Sequence, residues 1–294
     1  WERIYDQYEE LFLLHKMTMF EMDLWMSMAY FIEQQVDYCI IEAGMGGRLD
    51  ATTALDHKAC LITNVGLDHT EYLGETFEQI AYEKSGVFKP NVPALTTEDK
   101  PECQKVMELV ADYMKTPLCF IDCQETDVLR WNGMTFHLNP PLYQAKNLSL
   151  ALETLNVLGI WLEENEIQQV IDHFQWAGRY MVLRKDPLVL LDGAHNVHGI
   201  TALTRSLKDF TGKIYFSVLK EKDAPHMIEL LQSISKDITL VEISSARLYP
   251  LENLGYPIIT VDELISRLLN TKEDSLLCGS LYYVGEVLEK WGNV

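Results

Sequence analysis

The stretch Val36-Asp37-Tyr38-Cys39-Ile40-Ile41-Glu42-Ala43-Gly44-Met45-Gly46-Gly47-Arg48-Leu49-Asp50-Ala51-Thr52 decides the fold class. An apolar run of strand length, Tyr38–Ala43, takes in a carboxylate at its end, and glycines, an arginine and a second carboxylate follow at once. A buried strand that stops this way carries charged groups to the carboxyl edge of a sheet, where open α/β folds hold their ligands. The glycines permit positive φ and let backbone approach a ligand closely. Glu42 is then a candidate metal ligand or base, and Arg48 a candidate anion contact. The plain alternative is a strand and a tight turn with a solvated salt bridge.

A second run has the same design. Ala59-Cys60-Leu61-Ile62-Thr63-Asn64-Val65 is apolar, and Gly66-Leu67-Asp68-His69-Thr70 follows it with an acid and a histidine. Further on, Glu83-Lys84-Ser85-Gly86 falls in a helix expected from Thr76 to Val87. Two strand ends carrying Glu42 and His69, with Lys84 near, suit Mg²⁺ and phosphate, because magnesium takes one or two carboxylates plus phosphate oxygens and water. Zinc would want three or four Cys, His or carboxylate ligands, and the sequence shows no such cluster. A hydrogen-bonded loop histidine is the simpler reading of His69.

Outward from these motifs, helical periodicity covers Glu2–His15, Thr18–Gln34, Phe77–Val87 and Pro101–Lys115, while Pro93–Thr96 and Leu118–Ile121 have strand length. That alternation indicates β-α-β units and a mostly parallel sheet. Trp131-Asn132-Gly133-Met134 is an Asn-Gly hairpin signal between strand-like flanks. Helices follow at Lys146–Leu158 and Glu163–Phe174. The pattern resets at Trp176-Ala177-Gly178-Arg179, so a domain boundary is expected near residue 177, dividing 1–177 from 178–294. Strands then alternate with helices down to Leu281–Trp291, a second α/β unit of ordinary domain size.

The second unit opens on a motif of its own. The strand Leu188–Leu191 runs into Asp192-Gly193-Ala194-His195-Asn196. Asp192 can accept from a ribose or face a solvated cation, His195 can contact a phosphate or orient the loop, and Asn196 can cap the next helix. A capped strand-to-helix turn is the purely structural alternative. His195 and His198 lack a third metal ligand. Other motifs are missing: Leu49 stands where a dinucleotide fingerprint needs its third glycine, and neither G-x-x-x-x-G-K-[ST] nor G-x-S-x-G occurs.

Composition narrows the class. With 294 residues, 48% hydrophobic and 23% charged, the chain suits a soluble globular protein of one or two domains. No apolar run approaches the roughly 18 residues of a membrane span, and no secretory signal is seen. The 24 basic residues against 44 acidic ones give a net charge of −20, which argues against nucleic acid. Any anionic ligand must therefore be met by local cations such as Arg48, Lys84, Lys89, Lys146, Arg179 and Lys220. The six cysteines form no C-x-x-C pair, which fits a reduced, cytoplasmic setting.

Taken together, Glu42–Thr52, Leu67-Asp68-His69-Thr70, Glu83-Lys84-Ser85-Gly86, Gln144-Ala145-Lys146-Asn147, Gly178-Arg179, Asp192–Asn196 and Gly279-Ser280-Leu281-Tyr282 resemble, in order, the folylpolyglutamate and dihydrofolate synthases of the Mur ligase superfamily. The resemblance implies an α/β fold: a mostly parallel-sheet central ATPase domain over 1–177, incomplete at its amino end, and a smaller Rossmann-like domain over 178–294. It implies an ATP-dependent carbon–nitrogen ligase. The carboxylate of a folate tail or of dihydropteroate takes a phosphoryl group from ATP, and the amine of L-glutamate attacks the acyl phosphate.

By that resemblance Glu42 and His69 hold Mg²⁺, and Lys84 matches a lysine carbamylated in the family, which would serve a second metal ion. A monovalent cation is a further cofactor expectation. Asn147, Arg179, Asp192, Asn196 and Arg48 fall to the nucleotide, His195 to the phosphates with a catalytic role beside Lys84, and Ser280 to the substrate side of the second domain. The partners implied are folate or dihydropteroate and L-glutamate, with no nucleic acid, no membrane and a monomeric full-length protein. The family's phosphate loop precedes the segment matching residue 1, so this polypeptide alone is expected not to turn over ATP. Ala177, Val197 and Cys278 are small departures from the family pattern. The alternatives are a peptidoglycan-precursor amino-acid ligase and a truncated, non-catalytic homologue that binds nucleotide or folate.

Overall fold

The computed structural model describes residues 1–139 and 141–292. By contact the chain forms two compact units, Trp1–Asp122 with Leu150–Ile160, and Cys123–Ser149 with Trp161–Val294.

The first unit opens with helices α1 (Glu2–His15) and α2 (Met19–Gln34), which share a small core of Ile4, Phe12 and Met26. Thr18 and Glu21 start α2 with a reciprocal capping box, and Lys16 and Gln35 close the two helices in the left-handed conformation. Strand β1 (Cys60–Ile62), helices α3 (Thr70–Leu73) and α4 (Phe77–Ser85), strand β2 (Ala94–Thr96), helix α5 (Pro101–Met114) and strand β3 (Leu118–Phe120) follow. The three strands pair in parallel in the order β1-β2-β3. Alternation along β1 turns Cys60 and Ile62 to one face, where Ile80 and Ala81 of α4 and Met107 and Ala111 of α5 cover them.

The strand expected over Tyr38–Ala43 is not formed. Among the described residues this run joins no ladder, and Ile40 is 96% exposed. Its apolar content is that of a buried strand, but a strand exists only where a neighbour takes its backbone groups, and β1 pairs with β2 alone.

In the second unit, β4 (Val128–Trp131) and β5 (Met134–His137) form the antiparallel hairpin signalled by Asn132-Gly133, both at positive φ as a type I′ turn requires. Helix α6 (Gln144–Val157), whose residues from Leu150 onward belong to the first unit, and helix α7 (Glu164–His173) come next. Glu164 and Gln168, one turn apart on α7, accept from the Thr135 and His137 N–H groups, and Gln168 also donates to the His137 carbonyl. They saturate the outer side of the hairpin as a strand would.

The larger sheet is built from β6 (Met181–Lys185), β7 (Leu188–Asp192), β8 (Lys213–Phe216), β9 (Ile238–Glu242), β10 (Ile258–Thr260) and β11 (Ser275–Cys278), in the order β10-β9-β8-β11-β7-β6. Only β6 runs antiparallel within it; its mixed polarity left it unread in the sequence. Helices α8 (Val197–Ser206), α9 (Ala224–Leu231), α10 (Val261–Asn270) and α11 (Leu281–Trp291) cover both faces. Leu190, Ile214, Phe216 and Leu276 point toward the α8 and α9 side, Val189, Leu191, Tyr215 and Leu277 toward the α10 and α11 side. Both faces are apolar because crossover helices bury both, which is why these strands read as unbroken hydrophobic runs. The parallel sheets and covering helices are the α/β architecture expected. Among the described residues no helix is long and apolar enough to cross a membrane.

Candidate functional site

In the first unit, Gly44–Thr52 forms a loop seated on the end of α4. The Asp50 carboxylate accepts from the Met45 N–H at 3.0 Å, the Thr52 N–H at 2.9 Å and the Thr52 hydroxyl at 2.6 Å. Burial works against its charge, but the Thr52 hydroxyl and the backbone N–H groups of Met45, Thr52 and Gly44 outweigh it and hold its pKa below the ordinary value. Two glycines make the close seating possible. A Cβ at Gly47 would lie 2.8 Å from the Lys84 carbonyl oxygen, and one at Gly86 would lie 2.2 Å from the Arg48 Cα. From the other side, the Phe20 ring of α2 lies against Gly44.

Arg48, expected as an anion contact, is engaged within the protein. Its Nε and Nη2 donate to the Glu83 carboxylate at 2.9–3.1 Å, and its backbone N–H donates to the Glu83 carbonyl at 2.8 Å. The next residue of α4 is Lys84. Burial lowers its pKa, and the negative charge of Asp68 works in the opposite direction. Asp68 is therefore near enough for its charge to act on the Lys84 ammonium. The loop acid also accepts the His69 N–H at 2.9 Å, and His69 itself is exposed, with φ 51° at the head of α3. Glu42 is exposed just ahead of the Gly44–Thr52 loop. Among the described residues no three His, Cys, Asp or Glu side chains gather as a metal-holding group. A site with Glu42 and His69 as its protein ligands would therefore leave the remaining positions of an ion to phosphate and water. Magnesium tolerates that arrangement and zinc does not.

In the second unit, β7 delivers Asp192 to the carboxyl edge of the sheet, in register with Cys278 of β11. Asp192 is 3% exposed and accepts from the Tyr180 and Ala194 N–H groups, each at 2.7 Å. Burial raises its pKa, against the pull of those two N–H groups and of the Arg179 and His195 charges. Gly193 donates to the Gly178 carbonyl at 2.7 Å, and a Cβ on Gly193 would lie 2.6 Å from the Arg179 guanidinium. Arg179, Asp192 and His195 are therefore one cluster, with the His195 ring against the Gly193 carbonyl at 2.9 Å. Asn196 caps α8 through the Gly199 N–H at 2.7 Å. Asn147 is exposed on α6 and donates to Gln144 at 3.0 Å. Ser280 is 1% exposed, caps α11 and follows Gly279, whose φ of 118° and contact with the Ser217 carbonyl exclude a side chain.

Two neighbours were missed in the sequence. Glu83 fixes Arg48, and Tyr143 stands close enough to Asp192 and Arg179 for their charges to act on its hydroxyl, whose pKa burial pushes up. Tyr143 directly precedes the Gln144–Asn147 motif and could have been read with it.

Comparison with known proteins bears on the family and the fold. Residues 9–138 match the Mur ligase middle domain. A dihydrofolate synthase/folylpolyglutamate synthase of Buchnera aphidicola subsp. Schizaphis graminum is 29% identical over 298 residues, 92% of this chain and 70% of the relative. Escherichia coli FolC in complex with ADP shares the fold with a TM-score of 0.82 at 27% identity, over 94% of this chain and 72% of that one. A bifunctional folylpolyglutamate synthase/dihydrofolate synthase with Mn, AMPPNP and L-glutamate bound gives a TM-score of 0.81 at 26% identity, over 94% and 72%. The chain belongs to the folylpolyglutamate synthase/dihydrofolate synthase family of the Mur ligase superfamily. That family consists of carbon–nitrogen ligases.

Proposed function

We propose that this chain serves the ATP-dependent addition of L-glutamate to the carboxylate of a folate or of dihydropteroate. The acceptor carboxylate oxygen attacks the γ-phosphorus of ATP, ADP leaves, and the glutamate amine displaces phosphate from the acyl phosphate with loss of a proton. The protein's part in such a reaction is positioning and charge neutralisation. The observation that carries the reading is the likeness, along 94% of the chain, to a folate ligase holding ADP.

On this reading Asp192, Arg179, Asn147 and Asn196 serve the nucleotide, His195 its phosphates, and Ser280 the incoming amino acid. Glu42 and His69 would hold Mg²⁺, which when bound would neutralise phosphate charge. With its guanidinium on Glu83, Arg48 acts on the loop that follows Glu42. The burial that weakens the Lys84 ammonium favours the neutral amine, whose lone pair can attack CO₂ to form a carbamate with release of a proton. The carbamate oxygens would then be available to a second ion.

A thermal-shift series tests the reading. Mg²⁺–ADP with dihydropteroate or tetrahydrofolate should raise the melting temperature above that with Mg²⁺–ADP alone, and nucleotide-sugar acceptors should not. A shift confined to nucleotide sugars would replace the proposal with a peptidoglycan-type ligase.

A further inference from the structure

An ion pair with a buried carboxylate lies in the first unit, between two residues that belong to none of the motifs considered so far. The Glu98 side chain is fully buried at the end of β2, and its carboxylate accepts from the Val65 N–H, from the Lys100 N–H at 2.8 Å and from Lys100 Nζ at 3.1 Å. Lys100 Nζ also donates to the Val65 carbonyl at 3.0 Å. Both backbone groups of one residue, itself without solvent exposure, are thus held by one ion pair. Close by, the Thr97 hydroxyl donates to the Thr63 carbonyl at 2.7 Å. The β1–β2 ladder ends at Ile62 and Thr96, and beyond it side chains replace ladder bonds in holding the chain that leaves β1.

Val65 leads directly into Gly66-Leu67-Asp68-His69. The same Lys100 ammonium lies 5.3 Å from the centre of the Phe77 ring, at the head of the helix that carries Lys84. One ion pair therefore touches both the loop bearing His69 and the helix bearing Lys84. A charge-assisted bond to backbone in a buried setting is stronger and more directional than a neutral one. Losing it would leave the Val65 N–H buried without its acceptor.

We propose that Glu98 and Lys100 are positioning residues that fix the Asp68–His69 loop against the Lys84 helix. The metal arm of the test rests on the reading of His69 as a metal ligand, and the exchange arm does not. Mn²⁺ alone is titrated by electron paramagnetic resonance into the full chain and into Glu98→Ala, Glu98→Gln, Lys100→Met and His69→Ala. Amide hydrogen exchange is followed at Gly66–His69, with Ala81 and Met107 as internal references.

Glu98→Ala should speed exchange at Gly66–His69 while leaving the references unchanged, and should weaken Mn²⁺ by about tenfold or more, as loss of an outer-shell partner does. Lys100→Met should act in the same direction. Glu98→Gln, which keeps an oxygen for the Val65 N–H, should recover part of both effects. If Glu98→Ala does not fold, Glu98→Gln and Lys100→Met carry the test. Unchanged exchange at Asp68 and His69 in the folded variants would overturn the proposal. Mn²⁺ binding that ignores His69→Ala would instead sink the metal reading, with the exchange result still deciding the role of Glu98.

Discussion

Arg48 and Glu83 are joined twice, guanidinium to carboxylate at 2.9–3.1 Å and backbone N–H to backbone carbonyl at 2.8 Å. The glycine loop and α4 are thereby one rigid piece around Lys84. The arginine side chain is 42% exposed, so solvent discounts the ion pair. Arg48→Ala should lower the midpoint of denaturant unfolding only slightly, because solvent weakens an exposed pair. Arg48→Lys should recover little, because a lysine cannot reproduce the fork on the carboxylate.

Gly86 has an ordinary helical φ of −62°, so its importance is purely steric. Gly86→Ala would force a methyl group into the Arg48 backbone and should cost about 2 kcal/mol or more. The melting temperature measures this, and an unchanged value would mean that the loop is not seated on α4.

Asp50 gives the loop a pH dependence of known sign. Its folded pKa lies below the unfolded one, so its stabilisation is complete above the unfolded value of about 3.9 and fades as pH falls through the folded value. Asp50→Asn should lower the melting temperature at pH 7 and flatten its fall on the acid side. A variant that keeps the wild-type acid limb would remove Asp50 from that account.

Lys84 works in the opposite range. Burial sets its folded pKa below the unfolded value of about 10.4, so the unfolded chain binds more protons between the two and stability rises with pH there. Lys84→Met should remove that rise and make the protein more stable at pH 7. Under ¹³C-bicarbonate the wild type should show a carbamate carbon signal that Lys84→Arg lacks.

Asp192 bridges the Tyr180 and Ala194 N–H groups and stands beside Arg179. Asp192→Ala should weaken ADP by about tenfold or more, the equivalent of at least one lost charge-assisted bond. Calorimetric titration of ADP reads this directly.

Much of this architecture was legible because it follows local rules. Helices α1 and α11 occupy the residues their periodicity indicates, and the Asn132-Gly133 turn falls where its φ preferences require. The strand end carrying Asp192 was readable as an apolar run that stops in an acid, whereas β1 stops at Ile62, well short of Asp68. Tyr38–Ala43 was misread because apolar content reports burial potential, whereas strand formation depends on a neighbour that the local sequence does not describe. The pairing of Glu83 with Arg48 and the roles of Glu98 and Tyr143 went unread for a related reason. Their partners lie tens of residues away, at Arg48, Val65 and Asp192, and no periodicity links a side chain to a distant backbone group.

The unladdered run Tyr38–Ala43 has a colloidal consequence. Its N–H and C=O groups and the bare Ile40 side chain offer a template on which another copy can lay an extended segment. The net charge of −20 holds copies apart over a distance that shrinks as ions are added, from about 30 Å at 0.01 M to about 8 Å at 0.15 M. Added salt should therefore promote association of copies through these open runs, which light scattering across an ionic-strength series would measure.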